Sequence, residues 1–249
     1  INAGIVENKG IEFAIGYSEQ LSDDFKLGIR YNVTTLDNEV ISVSADGGFL
    51  TGGVFGIGQD PPSRMEAGYP IGYFRGFKTN GIFQNKSEVD AYPTINDAVQ
   101  PGDLRFVDIN NDGIIDDNDR TNLGDPLPDA TMGLNLSLDY KNFDFAAYAF
   151  ASVGNEIVRN YERNQKLTNR TAYSLDRWTG EGTSNTTPRV TTGATSNILF
   201  SDYYVEDGSF IRLQNVQLGY TFPEGAFNND SISKLRLYIS ASNLFTLTE

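Results

Sequence analysis

Six segments of this chain alternate apolar and polar residues with the two-residue period of a β-strand. Ile11, Phe13, Ile15 and Tyr17 alternate with Glu12, Ala14, Gly16 and Ser18. After a short turn at Leu21–Asp24, Phe25, Leu27, Ile29, Tyr31 and Val33 alternate with Lys26, Gly28, Arg30, Asn32 and Thr34. The pattern returns at Met132, Leu134, Leu136, Leu138 and Tyr140, turns at Lys141-Asn142, and runs on through Phe143, Phe145, Ala147, Ala149 and Ala151. A third pair is Val216, Leu218, Tyr220 and Phe222, then Leu235, Leu237, Ile239 and Ala241, with 223–233 as the turn. Upstream, Ile211 and Leu213 sit on the other phase, which predicts a bulge before Val216.

The pattern predicts three hairpins with short turns at one end and two long excursions, 37–129 and 154–207, at the other. Glycines and prolines exclude regular structure over most of 37 to about 70. Ser87 is placed to cap one helical turn, with Glu88 and Asp90 near its positive end. Within the second excursion, Ile157 to Trp178 reads as helical and Gly180 to Asn197 as loop.

Opposite the apolar face stand Glu12, Lys26, Arg30, Asn32, Asn135, Asp139, Gln217 and Arg236. A dry core does not hold that many charges, whereas a watery lumen does. Strands of this length with an apolar face, short turns on one side and long loops on the other predict an antiparallel transmembrane β-barrel portion. Barrel diameter grows with strand number, so six strands imply a segment of a larger barrel. A soluble β-sandwich with one wet face fits the alternation as well.

Composition narrows the functional classes. The 249 residues carry 19 basic and 33 acidic groups, a net charge of -14, which argues against nucleic-acid binding. No cysteine or histidine is present, so thiolate sites, His-zinc sites and His-based triads are excluded. A pair of carboxylates hydrolysing glycosides is the remaining enzymatic option. The acids cluster in one loop instead, and we expect no enzyme. No apolar run approaches ~20 residues, so no membrane helix is expected.

That loop lies in Pro101–Gly124. Asp108, Asn110 and Asp112 alternate, Gly113 follows, and Asp116 and Asp119 close the run. With the carbonyl of Ile114, this is the ligand spacing of an EF-hand-type calcium loop, ending on Asp where that motif has Glu. The expectation is a structural calcium site in a rigid loop, since Pro101-Gly102 and Gly124-Asp125-Pro126 replace flanking helices. The bland reading is a solvated acidic turn built on Asn-Asp-Gly. Tyr73, Phe74, Phe77, Tyr203 and Tyr204, with Tyr69, are candidate substrate or partner contacts. Aromatic packing and interfacial girdles compete for the same residues. Trp178 reads as a loop-packing anchor.

Several motifs resemble one family in its own order along nearly the whole chain. They are Asn2-Ala-Gly-Ile-Val-Glu-Asn-Lys-Gly-Ile-Glu12, Pro101-Gly-Asp with Val107–Arg120, and Gly124-Asp-Pro-Leu-Pro-Asp129. Val205-Glu-Asp-Gly-Ser-Phe-Ile-Arg-Leu through Pro223 and Ser242-Asn-Leu-Phe-Thr-Leu-Thr248 complete the set. These residues resemble the SusC/RagA family of TonB-dependent outer-membrane transporters. The resemblance implies a barrel of about 22 strands in the bacterial outer membrane, a plug that engages the TonB complex, and a SusD-like lipoprotein over the mouth. It implies import of glycans or peptides, and makes 1–249 a C-terminal-region part of one barrel domain in contact with lipid. On this reading 37–129 and 154–207 are extracellular, and the short turns periplasmic. The other reading is a calcium-stabilised β-module, an adhesin or secreted binding domain without transport.

Overall fold

A computed structural model of the chain describes residues 4–55, 60–160, 171–223, 225–226 and 234–248. Among these residues the strands are, in order, β1 (Gly4–Lys9), β2 (Glu12–Ser22), β3 (Phe25–Thr35), β4 (Asp37–Val43), β5 (Phe49–Thr51), β6 (Ser63–Glu66), β7 (Tyr73–Phe77) and β8 (Thr79–Ile82). They continue with β9 (Leu104–Phe106), β10 (Arg120–Asn122), β11 (Ala130–Tyr140), β12 (Phe143–Val153), β13 (Glu156–Val158), β14 (Val205–Asp207), β15 (Phe210–Thr221) and β16 (Arg236–Thr248). A short helix, α1, spans Lys86–Ala91, and no helix among the described residues is long and apolar enough to cross a membrane. The chain divides into two compact units.

One unit, residues 8–38, 127–156 and 207–249, is a six-stranded antiparallel sheet in the order β16-β15-β12-β11-β3-β2. Its strands of 11 to 13 residues match the ~9–11 residues that a tilted strand needs to cross the hydrocarbon layer. Side chains alternate between faces, so the register sets rows across the sheet. One row is Ile15, Tyr31, Leu134, Ala149, Leu213 and Phe245. The next, on the opposite face, is Gly16, Arg30, Asn135, Tyr148, Asn215 and Ser242.

The apolar face is open: Leu134 is 45 % exposed and Ile239 72 %. A soluble sheet buries such a face, whereas a lipid-facing one does not. At the short-turn end, Phe25, Tyr140, Phe143 and Tyr220 stand side by side across adjacent strands, an aromatic row suited to the membrane interface. Phe143 and Tyr220 lie 4.8 Å apart at their centroids. The expected bulge is present between Leu213 and Asn215, and it returns Val216 to the apolar face. The β11–β12 turn is the expected Lys141-Asn142, with Lys141 in the left-handed region at φ 52°.

The other unit comprises 1–7, 39–126 and 157–206. It holds a four-stranded sheet in the order β10-β7-β6-β5 and the β8–β9 pair. Its interior is made of Phe77, Ile82, Leu104, Phe106 and Ile115 in one cluster, Phe55, Phe74, Phe200 and Tyr204 in a second, and Phe83, Val89 and Val99 in a third. Burial of this many aromatic and aliphatic side chains gives the two excursions a core of their own.

Several local expectations change. Strands β4, β5 and β6 occupy part of the glycine-rich stretch that reads as irregular, because pairing of β5 with β6 and of β6 with β7 overrides weak local propensity. Gly47 and Gly48, both at positive φ, make the bend between β4 and β5. Helix α1 is capped by Asn85 rather than Ser87: its side chain accepts from the Glu88 N–H at 3.0 Å. The helix expected over 157–178 is replaced at its start by β13 and near its end by a 3-10 turn at Ala172–Asp176. The intervening 161–170, and most of the 223–233 turn, lie outside the described residues. The last strand runs to Thr248, beyond the alternation read at Ala241.

Candidate functional site

Pro101-Gly102-Asp103 opens the loop that reads as a calcium site, and its aspartate is fully buried at 0 % exposure. A buried carboxylate is tolerated only when its charge and lone pairs are matched. Arg189 supplies the charge in fork geometry, Nε to Oδ1 at 2.8 Å and Nη2 to Oδ2 at 3.0 Å. The Thr195 hydroxyl donates to Oδ1 at 3.1 Å and the Asn197 amide at 2.9 Å. The Gln100 N–H donates to Oδ2 at 2.9 Å. Asn197 in turn accepts from the Leu104 N–H at 2.8 Å.

Glycine at 102 is required twice over. Its φ is +91°, and a Cβ there would stand 2.4 Å from Cε3 of Trp178. Trp178 packs against the first cluster and donates through Nε1 to Gln84 at 3.1 Å, the anchoring role expected of it. A second clamp joins the same two excursions: the Asp202 carboxylate accepts from the Thr79 N–H at 3.1 Å and from its hydroxyl at 2.6 Å.

The acidic run itself folds around its own amides. Asp108 accepts from Asp112 N–H at 3.2 Å and Gly113 N–H at 2.8 Å. Asn110 bridges to Asp112, donating to its Oδ2 at 2.9 Å, and Asp112 accepts from Ile114 N–H at 2.9 Å. Asp116 caps a 3-10 turn at Asp117–Asp119. Asp119, fully buried, accepts from the N–H of Ile109 and of Asp116, both at 2.8 Å. Neighbouring Ile115 enters the hydrophobic cluster, while Ile114 is exposed. The donor set is all oxygen, which suits a hard cation. Among the described residues, however, no three acidic side chains converge as they would on an ion.

The turn at Asp117 is fastened to the four-stranded sheet. The register places Arg64, Tyr73, Arg75, Phe77 and Arg120 on one face. Arg75 donates through Nη2 to the Asp117 carbonyl at 2.8 Å and pairs with its carboxylate at 3.3 Å. Arg120 lies over the Phe77 ring at 4.8 Å, and its Nε is 3.0 Å from the same carboxylate without hydrogen-bond geometry. Burial lowers the Arg120 pKa, opposed by Asp117 and Asp60. Asp117 itself is 71 % exposed, so this ion pair is worth little in isolation and serves mainly to orient the turn.

The aromatic candidates are placed by packing. Tyr73, Phe74, Phe77 and Tyr204 are buried, and Tyr203 is partly buried. Tyr73 stacks on Tyr69 at 4.4 Å and donates to Glu66, and burial with that hydrogen bond raises its phenol well above the usual range. Phe77 stacks on Phe106 at 4.8 Å, and Tyr204 meets Phe55 edge-on at 4.9 Å. The faces of Tyr73, Phe74, Phe77 and Tyr204 are taken up by the protein, so a ligand grip by these four rings is not what the geometry offers. The buried Asp103–Arg189–Asn197 network is what the sequence reading missed. The sole signal was Pro-Gly-Asp, a turn with a charge ahead of the short strand Leu104-Arg105-Phe106, while its partners lay in a stretch of Thr, Ser and Gly.

No family model matches the chain. Over its whole length it is 34% identical to TonB-dependent receptor P3 of Formosa agariphila, of which it spans 25%. It is 28% identical to TonB-dependent receptor SusC of Bacteroides thetaiotaomicron, again over the whole chain and 24% of that protein. In fold it is similar to the RagAB peptide transporter, with a TM-score of 0.74 at 20% identity, covering 98% of this chain and 26% of that one.

Proposed function

This chain belongs to the SusC/RagA family of TonB-dependent receptors over the quarter of their length that it spans, and from that premise we propose that it is part of the barrel domain of an importer for glycans or peptides. Relatives of this kind are outer-membrane barrels, so the six-stranded sheet is barrel wall and the protein resides in the bacterial outer membrane. The curated relatives above are named TonB-dependent receptors, and the structural neighbour is a peptide transporter.

In the proposal, a SusD-like lipoprotein closes the outer mouth and the TonB complex drives uptake through a region outside this chain. The observation that carries the reading is the sheet with one open apolar face and one polar face. A secreted β-module would leave Phe13, Ile15 and Ile239 in water, at a cost of ~25 cal/mol per Å² of apolar surface.

The test is uptake of fluorescent oligosaccharides and oligopeptides by cells with the full-length receptor, without it, and without TonB. Accumulation should fall to background in both deletions and under a protonophore, and a lipoprotein should co-purify with the receptor. Unchanged accumulation of every probe after receptor deletion would sink the proposal.

Calcium at Asp108, Asn110, Asp112, Ile114, Asp116 and Asp119 is a second proposal. It is favoured by the oxygen spacing and by the lone pair each amide-bonded carboxylate oxygen keeps free. Millimolar calcium should slow proteolytic nicking of the loop in the intact receptor, and Asp112→Ala should abolish that protection. Equal nicking rates with calcium and with chelator would remove the cation from the account.

A further inference from the structure

Arg30 is the central residue of β3 and faces the polar side of the six-stranded sheet. Its cross-strand neighbours are Gly16 on one side and Asn135 on the other. The other wall arginines described are engaged: Arg236 with Asp144 at 2.9 Å, and Arg212 with the Thr246 hydroxyl at 2.9 Å. Arg30 has no hydrogen bond or ion pair among the described residues. It stands beside a concavity lined by Gly16, Ser18, Gly28, Asn135 and Ser137. A Cβ on Gly28 would stand 2.4 Å from the Ser137 hydroxyl, so that part of the floor requires glycine, while one on Gly16 would fit at 3.9 Å from the Arg30 Nε and narrow the space beside it.

We propose that this concavity is a carboxylate subsite on the lumen wall, with the Arg30 guanidinium as its cation and the Asn135 amide as a second donor. The proposal rests on the importer reading above. A charge at membrane height faces a bundle interior or water-filled cavity and marks a solute path, and lumen side chains tune selectivity. An unpaired guanidinium presents a planar fork that matches a carboxylate with two parallel hydrogen bonds. Gly16 and Gly28 clear the approach, and Ser18 and Ser137 supply hydroxyls for neighbouring polar groups. The matching solute is an oligomer bearing carboxylates, an acidic glycan or an acidic peptide. The same chemistry has a second source, a carboxylate elsewhere in the full-length receptor.

Binding to the purified full-length receptor separates these, using two matched probe pairs: oligogalacturonate against its methyl ester, and an Ala/Glu peptide against its Ala/Gln counterpart. The acidic member of at least one pair should bind more tightly. Arg30→Gln should weaken it about tenfold and leave the neutral member unchanged, and Arg30→Lys should restore part of the loss. An unchanged acid preference with a thermal midpoint several degrees lower assigns the carboxylate to the receptor itself. Unchanged preference with an unchanged midpoint overturns the subsite, as does a wild-type receptor indifferent to charge in both pairs with no midpoint shift in the variant. Loss of the importer reading is registered separately, by uptake that survives receptor deletion.

Discussion

Replacing Asp103 by Ala in the full-length receptor should destabilise the unit built from 39–126 and 157–206 by about 3–5 kcal/mol, the range for breaking a buried ion pair from one side. The loss is large because the carboxylate leaves four groups behind. Arg189 keeps a charge with no counter-ion, and Thr195, Asn197 and the Gln100 N–H lose their acceptor. Asp103→Asn should be milder, since it keeps an acceptor for part of the set while giving up the charge. Limited proteolysis of intact cells reads this directly: the segments 39–126 and 157–206 should be cut early while the barrel band persists. Cleavage at the wild-type rate in Asp103→Ala would mean that the network is not what closes this body.

Leu134→Arg should cost about 2–4 kcal/mol, the range for a cation placed on the lipid face near the bilayer midplane. One residue on, Asn135→Arg should cost no more than about 1 kcal/mol, the scale of a like-charge cross-strand pair, here with Arg30. The two residues are neighbours on β11 but point to opposite faces, Leu134 in the row with Tyr31 and Ala149, Asn135 in the row with Arg30 and Tyr148. The measurement is the urea midpoint of receptor folded into lipid vesicles. Equal shifts for the two variants would show that neither face meets hydrocarbon.

These experiments probe parts of the molecule that were unequally legible in the sequence. The wall was readable because period-two alternation is local: Phe25 to Val33 and Met132 to Tyr140 state their face without reference to anything else. Even the bulge is written in the chain, as the phase change between Leu213 and Val216. The unit built from 39–126 and 157–206 was not readable because its determinants are far apart. Asp103 meets Arg189 and Thr79 meets Asp202, contacts between separate excursions that no window of neighbouring residues contains. Short strands such as β5 and β6 exist through pairing, and their glycine-rich surroundings hide them. The aromatic residues misled for a related reason. Tyr73, Phe74 and Phe77 look like an exposed grip when 37–129 is taken as a loop, and become interior once that loop is part of a folded body. The capping residue of α1 was missed by two positions because Asn and Ser are both good caps, and the choice between them is made by where the chain enters.

The clamps between 39–126 and 157–206 have a consequence for grafting. A graft that replaced one excursion with a segment lacking the matching residue would leave Asp103 without its Arg189, or Thr79 without its Asp202. The β11–β12 hairpin lies between the two segments in the chain, so one continuous graft spanning both would carry it along as well. Replacing one excursion alone is therefore expected to keep this unit folded only where the incoming segment supplies matching groups for both clamps.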